Sequence, residues 1–376
     1  MTKQAAETST GMSPMTRARA ILGGSAGNLV EWYDWFAYAA FSIYFAKVFF
    51  PEGDAQIGAA APAILLAARI LQGLSVGGEY GASATYMSEM AGKKRRGFWS
   101  SFQYVTLIMG QLVAALVLVI LQATLEPEAL SAWGWRIPFF IGAGLAVIVF
   151  WIRSGLEESQ SYTNAKAQGA PKANTLAMFT EHPREAFAII GLTAAGSLAF
   201  YAYTTYMLKF LTNTTGFSKE TAGAVNLATL VGFMLIQPLF GWMSDRWGRR
   251  RMLIFAFGGG AILAWPIFSM VARATDPVVA FMLIFAALVV QSAYTSISAV
   301  VKAELFPTHV RALGVALPYA LGNAVFGGTA EFVALWFKSI GLESGFYVYL
   351  AGMMAMGAVI AFALRDSGKH SRILED

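Results

Sequence analysis

Two acids, Glu31 and Asp34, stand three residues apart in a stretch that is otherwise apolar and aromatic, Asn28-Leu-Val-Glu-Trp-Tyr-Asp-Trp-Phe-Ala-Tyr38. Holding an acid at mid-bilayer costs about 2.5–3.5 kcal/mol on insertion scales, so such groups face a protein interior or a water-filled cavity and have partners. A second apolar stretch carries Gln72, Ser75, Glu79, Ser83 and Tyr86 at spacings that put them on one helical face, as in a cavity wall. At 1.5 Å per residue, Glu31 sits about 15 Å into its helix and Glu79 about 14 Å from the end of its own, so the two share a level. Facing carboxylates hold a proton between them near neutral pH because both cannot ionise cheaply. A proton site at Glu31 and Glu79 is therefore expected, with Asp34 further out and placed to meet Arg69.

Arg69 lies deep in the second stretch, and its planar fork suits bidentate binding of a carboxylate. Lys209 follows a run rich in Tyr and Thr that includes Tyr201; it is the second cationic candidate, unless it snorkels at an interface. Tyr38 and Tyr294, the latter beside Thr295, Ser296 and Ser298, complete the expected substrate contacts. Lys302 and Glu304 read instead as gate residues.

The run Gly241-Trp-Met-Ser-Asp245-Arg246-Trp-Gly248-Arg249-Arg250-Arg251 has a different use. Stop-transfer charges would explain its arginines but not the placing of its glycines and aspartate. A tight turn with an acid and several arginines beside a helix end makes a charge cluster able to lock neighbouring helix ends in one state and release them in another. Glu89 is followed seven residues later by Arg96, and Glu304 seven later by Arg311, an internal repeat at two further helix ends. The expected gate is Asp245, Arg246, Gly248, Arg249 and Arg250, with Glu89, Arg96, Glu304 and Arg311.

The elements that position these residues follow from composition. Of the 376 residues, 57% are hydrophobic and only 13% charged, against about 25% charged in soluble domains. That is too few charges for the polar shell of a soluble fold. Apolar stretches of about 20 residues occur at ten places: 21–50, 57–88, 98–123, 136–153, 187–212, 219–242, 252–272, 278–303, 312–337 and 344–364. With the N-terminus inside, 20 of the 27 basic residues fall at cytoplasmic ends, so the positive-inside rule sets both termini in the cytoplasm. The same rule accounts for the net charge of +5 without nucleic acid as a partner. Gly73, Gly77 and Gly81 repeat every fourth residue, a seam for close helix packing.

Residues 1–153 read as a half-bundle of four spans, 154–186 as a cytoplasmic linker and 187–376 as a six-helix bundle. Matching the two Glu-Arg repeats pairs the second span with the eighth, so the first half lacks two spans, about 55–60 residues. No cleavable signal peptide is read at the start. There is no cysteine, and the three histidines, His182, His309 and His370, are scattered, so no metal site or cofactor is expected. Neither a phosphate-binding Walker loop nor a His-Glu-x-x-His motif occurs, and the chain does not read as an enzyme.

The gate loop resembles the signature of the major facilitator superfamily. Within it the chain is similar to the metabolite:proton symporters, through GNLVEWYDW (27–35), ARILQGLSVGGEYGASATYMSE (68–89), RRGFWSSFQYVTLIMGQL (95–112), WGWRIPF (133–139), FYAYTTYM (200–207) and residues 294–335. The resemblance implies an all-α polytopic fold of twelve helices in two bundles. Helices 2 and 3, with the first copy of the gate loop, are missing here, leaving ten. It also implies proton-coupled symport of a dicarboxylate by alternating access, in a bacterial inner membrane, by a monomer whose partners are a small organic acid, protons and the lipid bilayer. Spans 1, 2, 5 and 8 correspond to the cavity-lining helices. Related carriers take citrate, shikimate or zwitterionic osmolytes, and a shortened chain that keeps the fold without transporting is the other reading.

Overall fold

The computed structural model describes residues 14–49, 60–154, 163 and 175–373, with the side chains of residues 60–71 and a few neighbours outside the description. Every regular element among the described residues is helical. The first group is α1 (Pro14–Phe49), α2 (Ala60–Met90), α3 (Arg96–Ser100), α4 (Phe102–Thr124), α5 (Pro127–Ala132) and α6 (Ile137–Ser154). The second is α7 (Thr175–Glu181), α8 (Pro183–Tyr201), α9 (Met207–Asn213), α10 (Lys219–Trp247), α11 (Arg249–Val271), α12 (Pro277–Thr295), α13 (Ser298–Leu305), α14 (Thr308–Gly322), α15 (Ala330–Ser339) and α16 (Glu343–Ala363).

Eight described stretches are long and apolar enough to cross a bilayer: 93–124, 134–152, 183–213, 219–247, 249–271, 277–305, 308–339 and 343–363. They fall on eight of the predicted spans. Helices α1 and α2, of 36 and 31 residues, overlie the other two. Helix starts follow local chemistry: Ser218 accepts a hydrogen bond from the Thr221 amide, and Asp276 accepts one from Val278 ahead of a helix that opens on Pro277. Both leave fewer amides unsatisfied at the first turn.

Three of the long stretches in the second group are not continuous α-helix. One-turn π segments at Ala202–Tyr206 and Asn323–Gly327 join α8 to α9 and interrupt the run from α14 to α15. The third break, at Ser296 and Ile297, separates α12 from α13. Irregular backbone at membrane depth is tolerated where protein or a cavity covers it.

In the first group, α1 packs on α2, α4 and α6. Its polar hub is Asn28, which donates to the Gln103 carbonyl at 2.8 Å and Thr106 Oγ1 at 2.9 Å, while Gln103 Nε2 donates back to Asn28 and on to Ser83. This hub ties α1, α2 and α4 together without a charge. The second group has a denser apolar core, with Phe210, Phe257, Phe268 and Phe346 buried among α9, α11 and α16. Outward, α6 exposes Phe140, Phe150 and Trp151, which suits lipid contact.

The groups meet along α2, which packs on α13 and α14, and along α3 and α4, which pack on α10. A Cβ at Gly77 would stand 2.9 Å from the Ala320 Cβ, and one at Gly81 2.9 Å from the Ala312 carbonyl. At Gly73 a Cβ would meet nothing within 4 Å among the described residues. The close seam is therefore Gly77 and Gly81 against α14, and Gly73 lies beyond it. The predicted linker is helical at its end: α7 buries Met178 beneath Phe306 and Val310.

Candidate functional site

At one end of the molecule, called the basic end here, three guanidinium groups meet three carboxylates. Asp245 at the end of α10 accepts hydrogen bonds from the Gly97 amide at 2.8 Å and the Phe98 amide at 3.0 Å. It also accepts from Arg249 Nη2 at 2.8 Å. An acid thus caps the start of α3 across the boundary between groups, where the free amides favour negative charge. The chain reverses from α10 to α11 at Gly248, whose φ of 90° favours glycine. Close approach makes this possible, since a Cβ at Gly97 would lie 2.6 Å from the Gly241 carbonyl.

Glu304 is buried between Arg96 and Arg249, with separations of 3.9 and 3.8 Å. Glu89 is paired with Arg311. Each glutamate of the Glu-Arg repeat therefore meets the arginine of the other copy, Glu89 with Arg311 and Glu304 with Arg96. The segment after α16 closes over them: Ser367 Oγ donates to Glu304 at 2.7 Å, Arg96 donates to Ser371 Oγ at 3.3 Å, and Arg311 Nη2 donates to the Arg372 carbonyl at 2.9 Å. Arg311 has no exposed surface. Two predicted gate arginines stand apart from these pairs. Arg246 lies over the Trp242 ring at 3.9 Å, and Arg250 donates to the Phe362 carbonyl.

Further into the bundle, a second meeting of the two groups has a different chemistry. Lys302, on α13, is only 1% exposed. Its Nζ donates to Ser298 Oγ at 2.8 Å and to the Tyr80 hydroxyl at 3.1 Å. The Tyr80 and Tyr319 rings stack at 3.5 Å and 6°, and Nζ lies 4.8 and 4.4 Å from their centroids and 5.9 Å from that of Tyr294. Tyr80 comes from α2 and the other members from α12, α13 and α14. No ion pair to Lys302 occurs among the described residues. Counting Lys302 with the loop charges is thus corrected: the Nζ points back along α13 into the bundle, as helical side chains lean toward the N-terminus.

The remaining predicted residues are placed as follows. Asp34 accepts a hydrogen bond from Gln72 Nε2, joining α1 to α2. Glu31 and Glu79 are half-buried on those same helices. Arg69 lies on α2 with its side chain outside the described residues, so its pairing with Asp34 does not enter. Lys209 is ion-paired with Glu331 and about half exposed, away from the Lys302 cluster. Tyr201 is buried where the end of α8 packs on the Asn323–Gly327 segment, since a Cβ at Gly327 would lie 2.8 Å from its ring. Tyr294 flanks Lys302, and Tyr38 packs on Phe45.

Sequence reasoning named Ser298 among the small polar residues after Tyr294, but did not single out Tyr80 or Tyr319. The available signal was Ser298 four residues before Lys302 in Ser-Ala-Val-Val-Lys, a spacing that brings the two side chains together on a helix.

Two family profiles match the chain: Sugar (and other) transporter over residues 3–178 and Major Facilitator Superfamily over residues 189–375. The alpha-ketoglutarate permease of Escherichia coli (strain K12) is 44% identical over 420 aligned positions, covering 95% of this chain and 96% of that protein. Those positions outnumber this chain's 376 residues by 44, so the alignment opens gaps here. The citrate-proton symporter of Klebsiella pneumoniae is 33% identical over 272 positions, 72% of this chain and 61% of that one. Among solved structures, the proton:xylose symporter XylE bound to 6-bromo-6-deoxy-D-glucose aligns with a TM-score of 0.66 at 19% identity, covering 93% of this chain and 84% of that one. That likeness is one of fold. Family profiles over both groups of helices, a relative similar along nearly the whole chain and an all-helical bundle lead to one assignment: this multi-pass membrane protein belongs to the major facilitator superfamily, a family of transporters and not of enzymes.

Proposed function

We propose that this chain is a secondary carrier that moves a small dicarboxylate, such as 2-oxoglutarate, together with protons across a bacterial inner membrane. The observation that carries this reading is the basic end itself. Asp245 against α3, Glu304 against Arg96 and Glu89 against Arg311 all bridge the two groups of helices, so one end is shut by contacts that a rocking motion would have to part. The substrate class is supported by the likeness to alpha-ketoglutarate permease and a citrate-proton symporter.

In this reading α1 and α2 also cross the bilayer, giving ten spans with both termini and the 154–186 linker in the cytoplasm. Residues 1–153 and 187–376 are the two moving halves, and the basic end is the cytoplasmic gate. Glu31, Asp34 and Glu79 carry the proton. Arg69, Lys209, Tyr201, Tyr294 and Tyr38 remain the proposed substrate contacts. The alignment shortfall of 44 positions or more is on the scale of two missing spans.

The test is uptake of radiolabelled 2-oxoglutarate into proteoliposomes, with and without an inward proton gradient. Gradient-driven accumulation that falls at least tenfold in Glu31→Gln and Glu79→Gln supports the reading. Uptake indifferent to the gradient would remove the proton coupling. A monodisperse protein that takes up none of 2-oxoglutarate, citrate, shikimate or betaine would favour the non-transporting alternative.

A further inference from the structure

The cluster around Lys302 has an imbalance that its own chemistry does not resolve. When protonated, Lys302 brings three protons, and the Tyr80 and Ser298 hydroxyls bring one each, whereas among the described residues those same two hydroxyls are the only oxygens within hydrogen-bonding distance of its Nζ. Two ammonium protons go to the two oxygens. The Tyr80 and Ser298 oxygens stand 3.2 Å apart and use one hydroxyl proton between them. One hydroxyl proton and the third ammonium proton find no acceptor at hydrogen-bonding distance among the described residues, and aromatic faces pack around them. The rings offset part of the cost of burying an ammonium, since a cation over an aromatic face is attracted by the ring quadrupole. They offer no lone pair to a hydroxyl and no opposite charge.

An anion with two acceptor oxygens would balance these donors. We infer that Lys302, Tyr80 and Ser298 form a carboxylate-binding subsite, and that the stacked Tyr80 and Tyr319 rings shield its cation while no substrate is bound. A carboxylate entering here accepts from Lys302 Nζ with one oxygen and from a hydroxyl with the other, which satisfies both leftover donors. This inference rests on the carrier reading and deepens it, because it names a further charge anchor for the transported acid beside the proposed contacts Arg69 and Lys209.

Position in the fold supports the assignment. Tyr80 lies 10 residues from the end of α2 at Met90, and Tyr319 11 residues from the start of α14 at Thr308, so each stands about 15–17 Å in from the basic end. On α13, Ser298 stands 6 residues, about 9 Å, before Glu304, so the cluster lies inward of the basic end on the boundary between halves, where carriers of this architecture place their substrates. The helix that presents Lys302 is broken just before it at Ser296 and Ile297, and Ser296 Oγ is buried there with no hydrogen-bond partner among the described residues. Tyr80 belongs to the first group of helices while Lys302, Ser298 and Tyr319 belong to the second. The subsite therefore assembles and parts with the motion of the halves. Glu79 directly precedes Tyr80, so displacing the tyrosine on binding moves a proposed proton carrier as well.

The experiment is equilibrium binding to the purified full chain in detergent, read by tryptophan fluorescence, using 2-oxoglutarate and its two monoamides as probes. Wild type is expected to prefer the diacid at least 20-fold over one monoamide. Lys302→Gln is expected to weaken diacid binding 30-fold or more and to bring that preference below threefold. A purely structural role for Lys302 would weaken both probes alike, and a Lys302→Gln protein that keeps the preference overturns the proposal. Should Lys302→Gln fail to fold, Tyr80→Phe and Ser298→Ala decide, since both keep the charge. A preference that falls at least threefold in either supports the subsite, and one unchanged in both overturns it. Wild type that binds no 2-oxoglutarate, citrate or shikimate overturns the carrier reading and this inference together.

Discussion

The two halves of the bundle meet at two levels, and the levels are held by opposite strategies. At the basic end Arg96, Arg249 and Arg311 face Glu89, Asp245 and Glu304, so charge is balanced and the carboxylates take further bonds from backbone and serine. Roughly 9–14 Å further in along the helices, one lysine sits among rings and hydroxyls with no carboxylate in an ion pair among the described residues. A balanced cluster needs nothing from outside and can act as a lock. An unbalanced one is incomplete until an anion arrives, and so it can act as a sensor of substrate.

Breaking the lock should have the largest effect. Arg311→Ala leaves Glu89 without its partner at a buried site, a type of change that costs about 3–5 kcal/mol. Its thermal midpoint in detergent should fall further than that of any other variant considered. The chain has no cysteine, so Ser101→Cys gives a clean label, and alkylation of that cysteine should rise at least tenfold with Arg311→Ala. Unchanged labelling would mean that the ion pair does not hold the end shut.

Gly97→Ala attacks the same lock through shape, because its Cβ would lie 2.6 Å from the Gly241 carbonyl. Overpacking of this kind costs about 1–3 kcal/mol. The closed state alone should be penalised, so labelling should rise several-fold with a smaller loss of thermal midpoint than in Arg311→Ala. Equal losses of both would remove the distinction between closure and stability.

Tyr319→Leu tests the deeper level. It removes the stacked ring and one aromatic face from Lys302, worth about 0.5–2 kcal/mol, and leaves the ion pairs at the basic end in place. The expected outcome is a modest drop in thermal midpoint, with labelling of Ser101→Cys unaltered. Smallest of all should be Lys209→Gln. Its pair with Glu331 is about half exposed, and such pairs contribute up to about 1 kcal/mol. A shift in thermal midpoint as large as that of Tyr319→Leu would show Lys209 to be more than a peripheral charge.

The lock was more legible in the sequence than the sensor, for a physical reason. Gate residues announce themselves by local spacing: Asp245 and Arg249 are four residues apart across a glycine turn, and the Glu-Arg interval of seven recurs. Long apolar runs likewise located the helices, with ends within a few residues. What local spacing cannot give is the partner across the interface. It read Glu89 with Arg96 and Glu304 with Arg311 as two copies of a motif, whereas the fold exchanges their partners. Lys302 was harder still. Two residues from a gate glutamate, it reads as a loop charge, and only the packing of α2 and α14 brings Tyr80 and Tyr319 around it. Gly73 fits the same periodicity as Gly77 and Gly81, yet the seam does not extend to it.

The segment that follows α16 adds a consequence in time. Arg311 is bonded to a carbonyl 61 residues further along the chain, about 3–12 s of synthesis at ~5–20 residues per second. Glu304 waits as long for Ser367 and for the Arg372 amide. A nascent chain thus makes all its long helices before these last bonds over the lock can form. Sealing is among the last events of biogenesis, and a ribosome stalled after the last helix would leave a bundle in the membrane that has its shape but not its closure.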